Sequence, residues 1–226
     1  MKTTDMSAVI LAGGSSSRMV KNKLLLPLGG FTIVETLVGV LDGLFDECII
    51  VTDRPQDYRG LPVRIAPDLY EGVPKSSLRG IHGGLSASHH AYSFIVGGDM
   101  PFVVPGFVTH LCMLADGYDL VVPWKEPHFH PLVAVYNRGI LPLVNEMLAS
   151  GNYKLNSLRE KIHTLSVHVD DLRTYDPQLW SLFNINTPDD YALAKAHFER
   201  ISEVKNLPDG RNSPDDRSRK SKKDTR

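Results

Sequence analysis

Short, apolar, β-branched runs recur along the chain, at 8–11, 49–52, 63–66, 94–96, 120–122, 132–136, 165–169 and 183–185. Several are apolar throughout instead of alternating, the pattern of strands covered on both faces. Helical patterns lie between them, over 32–44, 80–92, 105–114, 140–149 and 188–201. In the first of these, apolar residues at 33, 34, 37, 38, 41 and 44 form one stripe at helical spacing. The last has a clear start. Thr187 offers an N-cap hydroxyl, Pro188 takes the first helical position, and Asp189 and Asp190 follow near the positive end of the helix dipole. Strands alternating with helices predict the α/β class, as a single-domain, doubly wound, mainly parallel sheet. Ligands of such sheets sit beyond the carboxyl ends of the strands, so the chemistry should follow strands.

This pattern spans residues 1–204, a length that suits one domain. It stops at 205–226, which holds eight basic and four acidic residues and almost nothing apolar. That composition predicts a disordered charged tail. With 42% hydrophobic and 23% charged residues, the chain as a whole has the makeup of an ordinary globular protein. A net charge of −1 gives no global field toward nucleic acid or an acidic membrane, and neither is expected as a partner. No apolar run approaches the roughly 20 residues of a membrane helix. The apolar patch at 8–12, preceded by Asp5, is too short for a signal-peptide core. Cys48 and Cys112 lie far apart, each inside an apolar segment. They read as buried thiols of a cytoplasmic protein, since two cysteines make neither a disulfide scaffold nor a four-cysteine zinc site.

The first strand runs directly into Ala12-Gly13-Gly14-Ser15-Ser16-Ser17-Arg18-Met19, with Lys23 soon after. Two glycines there let backbone approach a ligand closely, and exposed amides favour anions. Arg18 and Lys23 add charge suited to a polyphosphate. Neither common phosphate loop is present. Gly-x-Gly-x-x-Gly fails at Ser15, and the Walker pattern fails at Arg18. A plain strand-to-helix turn with surface charges is the alternative. A second loop follows the strand at 94–96 and reads Gly97-Gly98-Asp99-Met100-Pro101. A lone carboxylate at the sheet's carboxyl edge suits Mg²⁺ shared with phosphate oxygens. Capping of the helix near Pro105 is the competing role for Asp99, weakened by the three residues Met100, Pro101 and Phe102 between them.

Taken together, the motifs resemble the molybdenum cofactor guanylyltransferase family, the MobA type of the nucleotidyltransferase superfamily. The matching pieces are Leu-Ala-Gly-Gly-x-Ser-x-Arg-Met at 11–19 with Lys23, then Asp68, Gly-Asp-Met-Pro at 98–101, His-Pro-Leu-Val-Ala-Val at 130–135, and Asn-Ile-Asn-Thr-Pro-Asp-Asp at 184–190. The resemblance implies a Rossmann-like nucleotidyltransferase fold. It implies GMP transfer from GTP to the phosphate of molybdopterin or Mo-molybdopterin, with release of pyrophosphate. Leu11, Ala12, Gly13 and Gly14 would hold the guanine side of GTP. Asp53 and Asp68 would contact the nucleoside. Lys23 would touch the triphosphate with Arg18 nearby, and both would stabilise the leaving pyrophosphate. Asp99 would bind Mg²⁺, the expected cofactor. Asn184 and Asn186 would line the acceptor side or complete the metal shell. Molybdoenzymes or other cofactor-biosynthesis proteins are the protein partners such an activity implies. Another nucleotide such as CTP, a sugar-phosphate-like acceptor, and a non-catalytic nucleotide-binding role are the alternatives.

The chain departs from the family's usual Arg-Met-Gly-x-Asp-Lys at Val20 and Asn22, and has Asp53 where asparagine is frequent. Loop 69–79 is long, and its Lys75 and Arg79 are candidates for the acceptor's phosphate. The nine histidines complete no zinc site at any spacing. His89 and His90 would diverge if helical. His130, just before a buried strand, is the one expected to face the acceptor pocket. Trp124 and Trp180 read as packing residues, and no Gly-x-Ser-x-Gly elbow is present.

Overall fold

A computed structural model describes residues 2–13, 22–67 and 74–206. Gly14, Arg18, Val20, Asp68 and the tail beyond 206 lie outside the described residues. The strands are β1 (Ser7–Leu11), β2 (Pro27–Leu28), β3 (Phe31–Thr32), β4 (Glu47–Thr52), β5 (Arg64–Pro67), β6 (Tyr92–Gly97), β7 (Leu120–Lys125), β8 (His128–Phe129), β9 (Val133–Asn137) and β10 (Thr164–His168). The helices are α1 (Ile33–Asp42), α2 (Ser77–Ala87), α3 (Pro105–Met113), α4 (Leu141–Ala149), α5 (Leu155–Arg159), α6 (Val169–Leu172) and α7 (Pro188–Asn206).

The main sheet runs β10-β7-β9-β6-β1-β4-β5, with β8 paired to β7. Six of these strands point one way. β9 is antiparallel to both β6 and β7, so the sheet is mainly parallel but mixed. Strand alternation sends successive residues to opposite faces. Ala8, Ile10, Ile50, Phe94 and Val96 enter one core, with α1 and α3. Val9, Ile49, Val51 and Ile95 enter the other, with α2 and α4. The continuous apolar runs of β1, β4 and β6 thus have a partner on each side. Burial of Cys48 and Cys112 raises each thiol to about 12, which leaves both protonated.

Local signals account for the ends of elements. Thr32 and Glu35 close a reciprocal capping box at the start of α1. The Thr32 N–H donates to Glu35 Oε2 at 2.6 Å, and the Glu35 N–H to Thr32 Oγ1 at 3.3 Å. A Cβ on Gly84 would come within 2.4 Å of Val9 Cγ1, so glycine is what lets α2 lie close on β1.

Two expectations are corrected. Residues 183–185 form no strand. They follow a 3-10 turn at Trp180–Leu182, and the Ile185 N–H donates to the Asp99 carbonyl at 2.9 Å instead of joining a ladder. The helix expected over 80–92 begins at Ser77, where the Ser76 side chain caps it, and ends at Ala87. His89 and His90 are therefore not helical, and both rings come to one carboxylate, Glu47. No helix among the described residues is long and apolar enough to cross a membrane.

Candidate active site

β1 has β4 on one side and β6 on the other. The chain steps outward from β1 through β4 to β5, then returns to lay β6 on the opposite side of β1. The carboxyl ends of β1 and β6 flank this reversal of strand order, which is where doubly wound sheets hold their ligands. Backbone bonds set the corner. The Gly98 N–H donates to the Leu11 carbonyl at 3.0 Å, and the Ala12 N–H to the Val51 carbonyl at 2.9 Å. A Cβ on Gly98 would meet Leu24 Cδ1 at 2.8 Å and the Leu11 carbonyl at 3.1 Å, so this close approach excludes a side chain.

Lys23 and Asp99 meet in the corner. The Lys23 ammonium donates to Asp99 Oδ2 at 2.7 Å, to the Ile185 carbonyl at 2.7 Å and to Asn186 Oδ1 at 3.1 Å. A lysine has three donors, and these three acceptors use all of them. The side chains are only 20% and 22% exposed, so the pair is screened less than one on the open surface. Asp99 does not cap a helix, because α3 starts behind Val104 with no side-chain cap.

Neighbouring bonds hold each member in place. Lys23 opens a 3-10 turn, Lys23–Leu25, capped by Asn22. Asn22 Oδ1 accepts from the Leu24 N–H at 3.2 Å, and its amide nitrogen donates to Asp57 Oδ2 at 3.0 Å and Tyr58 Oη at 2.9 Å. An acid at position 22 would set a second carboxylate against Asp57. The asparagine replaces that repulsion with a hydrogen bond, which gives the departure at 22 a physical reason. On the other flank, Asp190 Oδ2 accepts from the N–H groups of Asn186 at 3.0 Å and Thr187 at 2.8 Å. These bonds, that from Asn186 foremost, hold the Asp190 carboxyl below its usual range. Ile185 is buried in the core, and its backbone faces the corner.

Asp53, just after β4, lies apart from this group. It pairs with Lys75, which precedes the Ser76 cap of α2. The hydrogen bond from Lys75 outweighs burial and holds the Asp53 carboxyl below its usual range. Lys75 is thus turned toward the β4 side of the corner. Gly13 is exposed at the end of its described segment. Asn184 is exposed and takes no part in the bonds around Lys23 described above. Burial, then the neighbouring His128, lowers the His130 imidazole from its ordinary value, so it is neutral at pH 7.

The structure therefore gathers Lys23, Asp99, Asn186 and the Leu11–Ala12 backbone, and leaves Asp53 apart from them, paired with Lys75. Sequence reasoning missed the Ile185 carbonyl, which has no side-chain signature. It also missed the Asn22–Asp57–Tyr58 clamp, for which the asparagine at 22 was the only clue. The Asp99 carboxylate, the Ile185 carbonyl and Asn186 Oδ1 are hard oxygen donors converging on one positive charge, and they fit a cation such as Mg²⁺.

A family model described as a MobA-like NTP transferase domain matches residues 8–166. A probable molybdenum cofactor guanylyltransferase of Natranaerobius thermophilus is 35% identical over 199 residues, 86% of this chain and 97% of that relative. The molybdenum cofactor guanylyltransferase of Desulfosudis oleivorans is 34% identical over 192 residues, 84% of this chain and 94% of its own length. Among solved structures, molybdopterin-guanine dinucleotide biosynthesis protein A from Archaeoglobus fulgidus matches with a TM-score of 0.75 at 27% identity, covering 86% of this chain and 100% of that one. With the corner geometry these matches agree, and the chain belongs to the molybdenum cofactor guanylyltransferase family of MobA-like nucleotidyltransferases.

Proposed function

We propose that the protein transfers GMP from GTP to the terminal phosphate of molybdopterin, or of its molybdenum-bearing form, and releases pyrophosphate. The observation that carries this reading is the set of three oxygens around the Lys23 ammonium at the strand-order reversal. Asp99 would hold Mg²⁺, with the Ile185 carbonyl and Asn186 Oδ1 beside it. When bound, the ion supplies charge neutralisation between phosphate groups that would otherwise repel.

With a divalent cation held at Asp99, the Lys23 ammonium would be free to contact the triphosphate instead. There it offsets charge on the departing pyrophosphate. The acceptor phosphate is already ionised at neutral pH, so the step needs positioning and charge more than a general base. Asp53 is ionised and lies on the β4 side of the corner. Guanine presents two adjacent N–H donors on its Watson–Crick edge, which a carboxylate accepts together. Arg18, Gly14 and Asp68 keep the nucleotide-binding roles that family membership suggests.

The test is pyrophosphate release by the purified protein with Mg²⁺ and molybdopterin, using GTP, CTP, ATP and UTP in turn. Release with GTP alone is expected. Release with CTP alone would keep the chemistry and reject the base assignment, and GTP binding without release would reject the transfer.

A further inference from the structure

α1 and α7 each start on a reciprocal capping box, and the two boxes differ in one bond. At α1 the acid, Glu35, keeps its bonds inside the box, accepting from the Thr32 N–H and the Thr32 hydroxyl. At α7 Thr187 stands at the N-cap, with Asp190 three residues on. The Asp190 N–H donates to Thr187 Oγ1 at 3.1 Å, and Asp190 Oδ2 accepts from the Thr187 N–H at 2.8 Å. The Tyr191 N–H donates to the Thr187 carbonyl at 3.1 Å, which closes the first turn. Those bonds complete the helix start. Asp190 Oδ2 accepts one more, from the Asn186 N–H at 3.0 Å. Asn186 precedes the N-cap, so its N–H is not among the four that a helix start leaves open.

The additional bond falls on a particular peptide plane. The Asn186 N–H and the Ile185 carbonyl belong to one planar trans unit, in which they point in opposite directions. Asp190 holds one end of that unit, and the other end accepts from the Lys23 ammonium at 2.7 Å. The preceding plane is fixed as well, because the Ile185 N–H donates to the Asp99 carbonyl at 2.9 Å. Rotating the plane between Ile185 and Asn186 would turn the carbonyl out of the corner and break the bond to Asp190. The carbonyl's direction is thus set from its far side. A donor bonded to an anion also leaves its own carbonyl more electron-rich, since linked hydrogen bonds polarise one another. Asn186 gains too. Held by its backbone, it places Oδ1 3.1 Å from the same ammonium.

Position and charge can be told apart at this helix start. Asp189 stands one residue earlier, at the same positive end of the helix dipole and with the same charge. It is exposed and makes none of these bonds, whereas Asp190 is half-buried. The Thr187 hydroxyl serves the helix half of the box, through its bond from the Asp190 N–H. One box therefore contains a group for the helix alone, a group that adds charge alone, and Asp190, which reaches the corner.

We propose that Asp190 is a positioning residue: by holding the Asn186 N–H it turns the Ile185 carbonyl and Asn186 toward the cation held at Asp99. The inference rests on the metal reading given under the proposed function. Its test is Mn²⁺ binding by the nucleotide-free full chain, read by electron paramagnetic resonance. A Lys23→Met background removes the ammonium that competes for the same oxygens. Adding Asp190→Ala should weaken Mn²⁺ binding about ten-fold, the scale on which groups that orient metal ligands act. Thr187→Ala should lower the melting temperature as Asp190→Ala does, because each breaks the box. It should nevertheless leave Mn²⁺ affinity near that of the background, and so should Asp189→Asn. Unchanged Mn²⁺ affinity with Asp190→Ala would overturn the positioning role, and so would an equal loss with Thr187→Ala or Asp189→Asn. Asp99→Ala in the same background separates this role from the reading beneath it. Mn²⁺ binding that survives Asp99→Ala would reject the metal assignment, and the positioning role with it.

Discussion

Two carboxylates sit at opposite ends of the same sheet, and their surroundings are inverted. At the amino-terminal edge, Glu47 is one acceptor among donors. It receives bonds from Ser7 Oγ, from Arg64 Nη2 at 2.6 Å and from the His89 N–H at 3.0 Å, with the His89 ring at 2.8 Å and the His90 ring at 3.7 Å. Ser7 in turn meets Ser88 Oγ at 2.6 Å and His90 Nδ1 at 3.0 Å. Every lone pair of Glu47 has a protein partner nearby, and those partners come from β1, β5 and the segment after α2. At the carboxyl edge the ratio is reversed. Asp99, the Ile185 carbonyl and Asn186 share one donor group, on the longest flexible stem available. The first arrangement is a clasp, complete without a ligand. The second is a set of acceptors around one removable cation. A carboxylate's burial does not separate the two, since Glu47 is the more covered at 12% exposed against 22%. The balance of donors and acceptors does.

Substitution at the two acids should separate them most. Asp99→Ala should lower kcat by about 10³ or more, because it removes the charged ligand among the proposed metal donors. Its melting temperature should change little. Glu47→Gln should do the reverse, with near-parental kcat and a lower melting temperature. Steady-state pyrophosphate release and calorimetry on the same preparations read both. Near-normal turnover by Asp99→Ala would remove the metal assignment and with it the contrast.

Lys23→Met comes next. It should lower kcat by about 10², the cost of losing one preorganised charge at the leaving group. It should also unmask Asp99 and Asn186, so Mn²⁺ should bind the nucleotide-free variant more tightly than the parent, as read by electron paramagnetic resonance. Equal Mn²⁺ affinity would show that the ammonium and the metal do not share these oxygens.

The clasp predicts a pH effect of definite sign. Burial raises the Glu47 carboxyl, but the bonds from Ser7 and the His89 N–H and the Arg64 charge outweigh it and hold the group below its ordinary 4.5. A lowered folded value means the stabilisation is fully present above 4.5 and is lost as pH falls through the folded value. Parental protein should therefore lose stability on acidification below 4.5, and Glu47→Gln should lack that part of the loss. At pH 7 Glu47→Ala should cost about 2 kcal/mol, or roughly 4–8 °C in melting temperature for a chain of this size. Denaturant titrations at pH 7 and pH 4 provide the comparison.

Much of this was legible in the residues, for reasons that also mark the limits. The core strands announce themselves because two-sided burial leaves no polar position within them, as in Val9–Ile10 and Phe94–Val96. Asp99 stood out because it follows a strand and two glycines, and Lys23 because its charge comes soon after the Gly13-Gly14 pair that follows the first strand. The direction of β9 was hidden, since a continuous apolar run reads the same in a parallel or an antiparallel ladder. Phe183 to Ile185 resembled a strand because Phe183 packs on Phe102 and Trp180 while Ile185 fills the core. Their burial is real, but the backbone polar groups of Ile185 go to Asp99 and Lys23. Ligands supplied by backbone leave no mark on composition or spacing. The β2–β3 hairpin was also missed: two-residue strands around Gly29 and Gly30 are too short for any periodicity.

The smallest effect tests why Lys23 stands where it does. Asn22 holds the turn that starts with Lys23 by donating to Asp57 and Tyr58. Asn22→Asp would replace two donated bonds with a carboxylate facing Asp57. Arg54, which pairs with Asp57 at 3.0 Å, would relieve only part of that repulsion. A loss of about 1 kcal/mol is expected, with a rise in the KM for GTP as Lys23 loses its fixed starting point. Asp57→Asn alone should cost a similar amount by weakening the same contacts. If the pair acts through like charge, the double variant Asn22→Asp with Asp57→Asn should recover much of the loss, because the new amide can donate to the new acid. A coupling energy of at least about 0.5 kcal/mol in that cycle would show that the side chains at 22 and 57 act on each other directly. Simple additivity would mean that Asn22 serves the turn through its cap to Leu24 alone, and that the contact with Asp57 does not hold the corner in place.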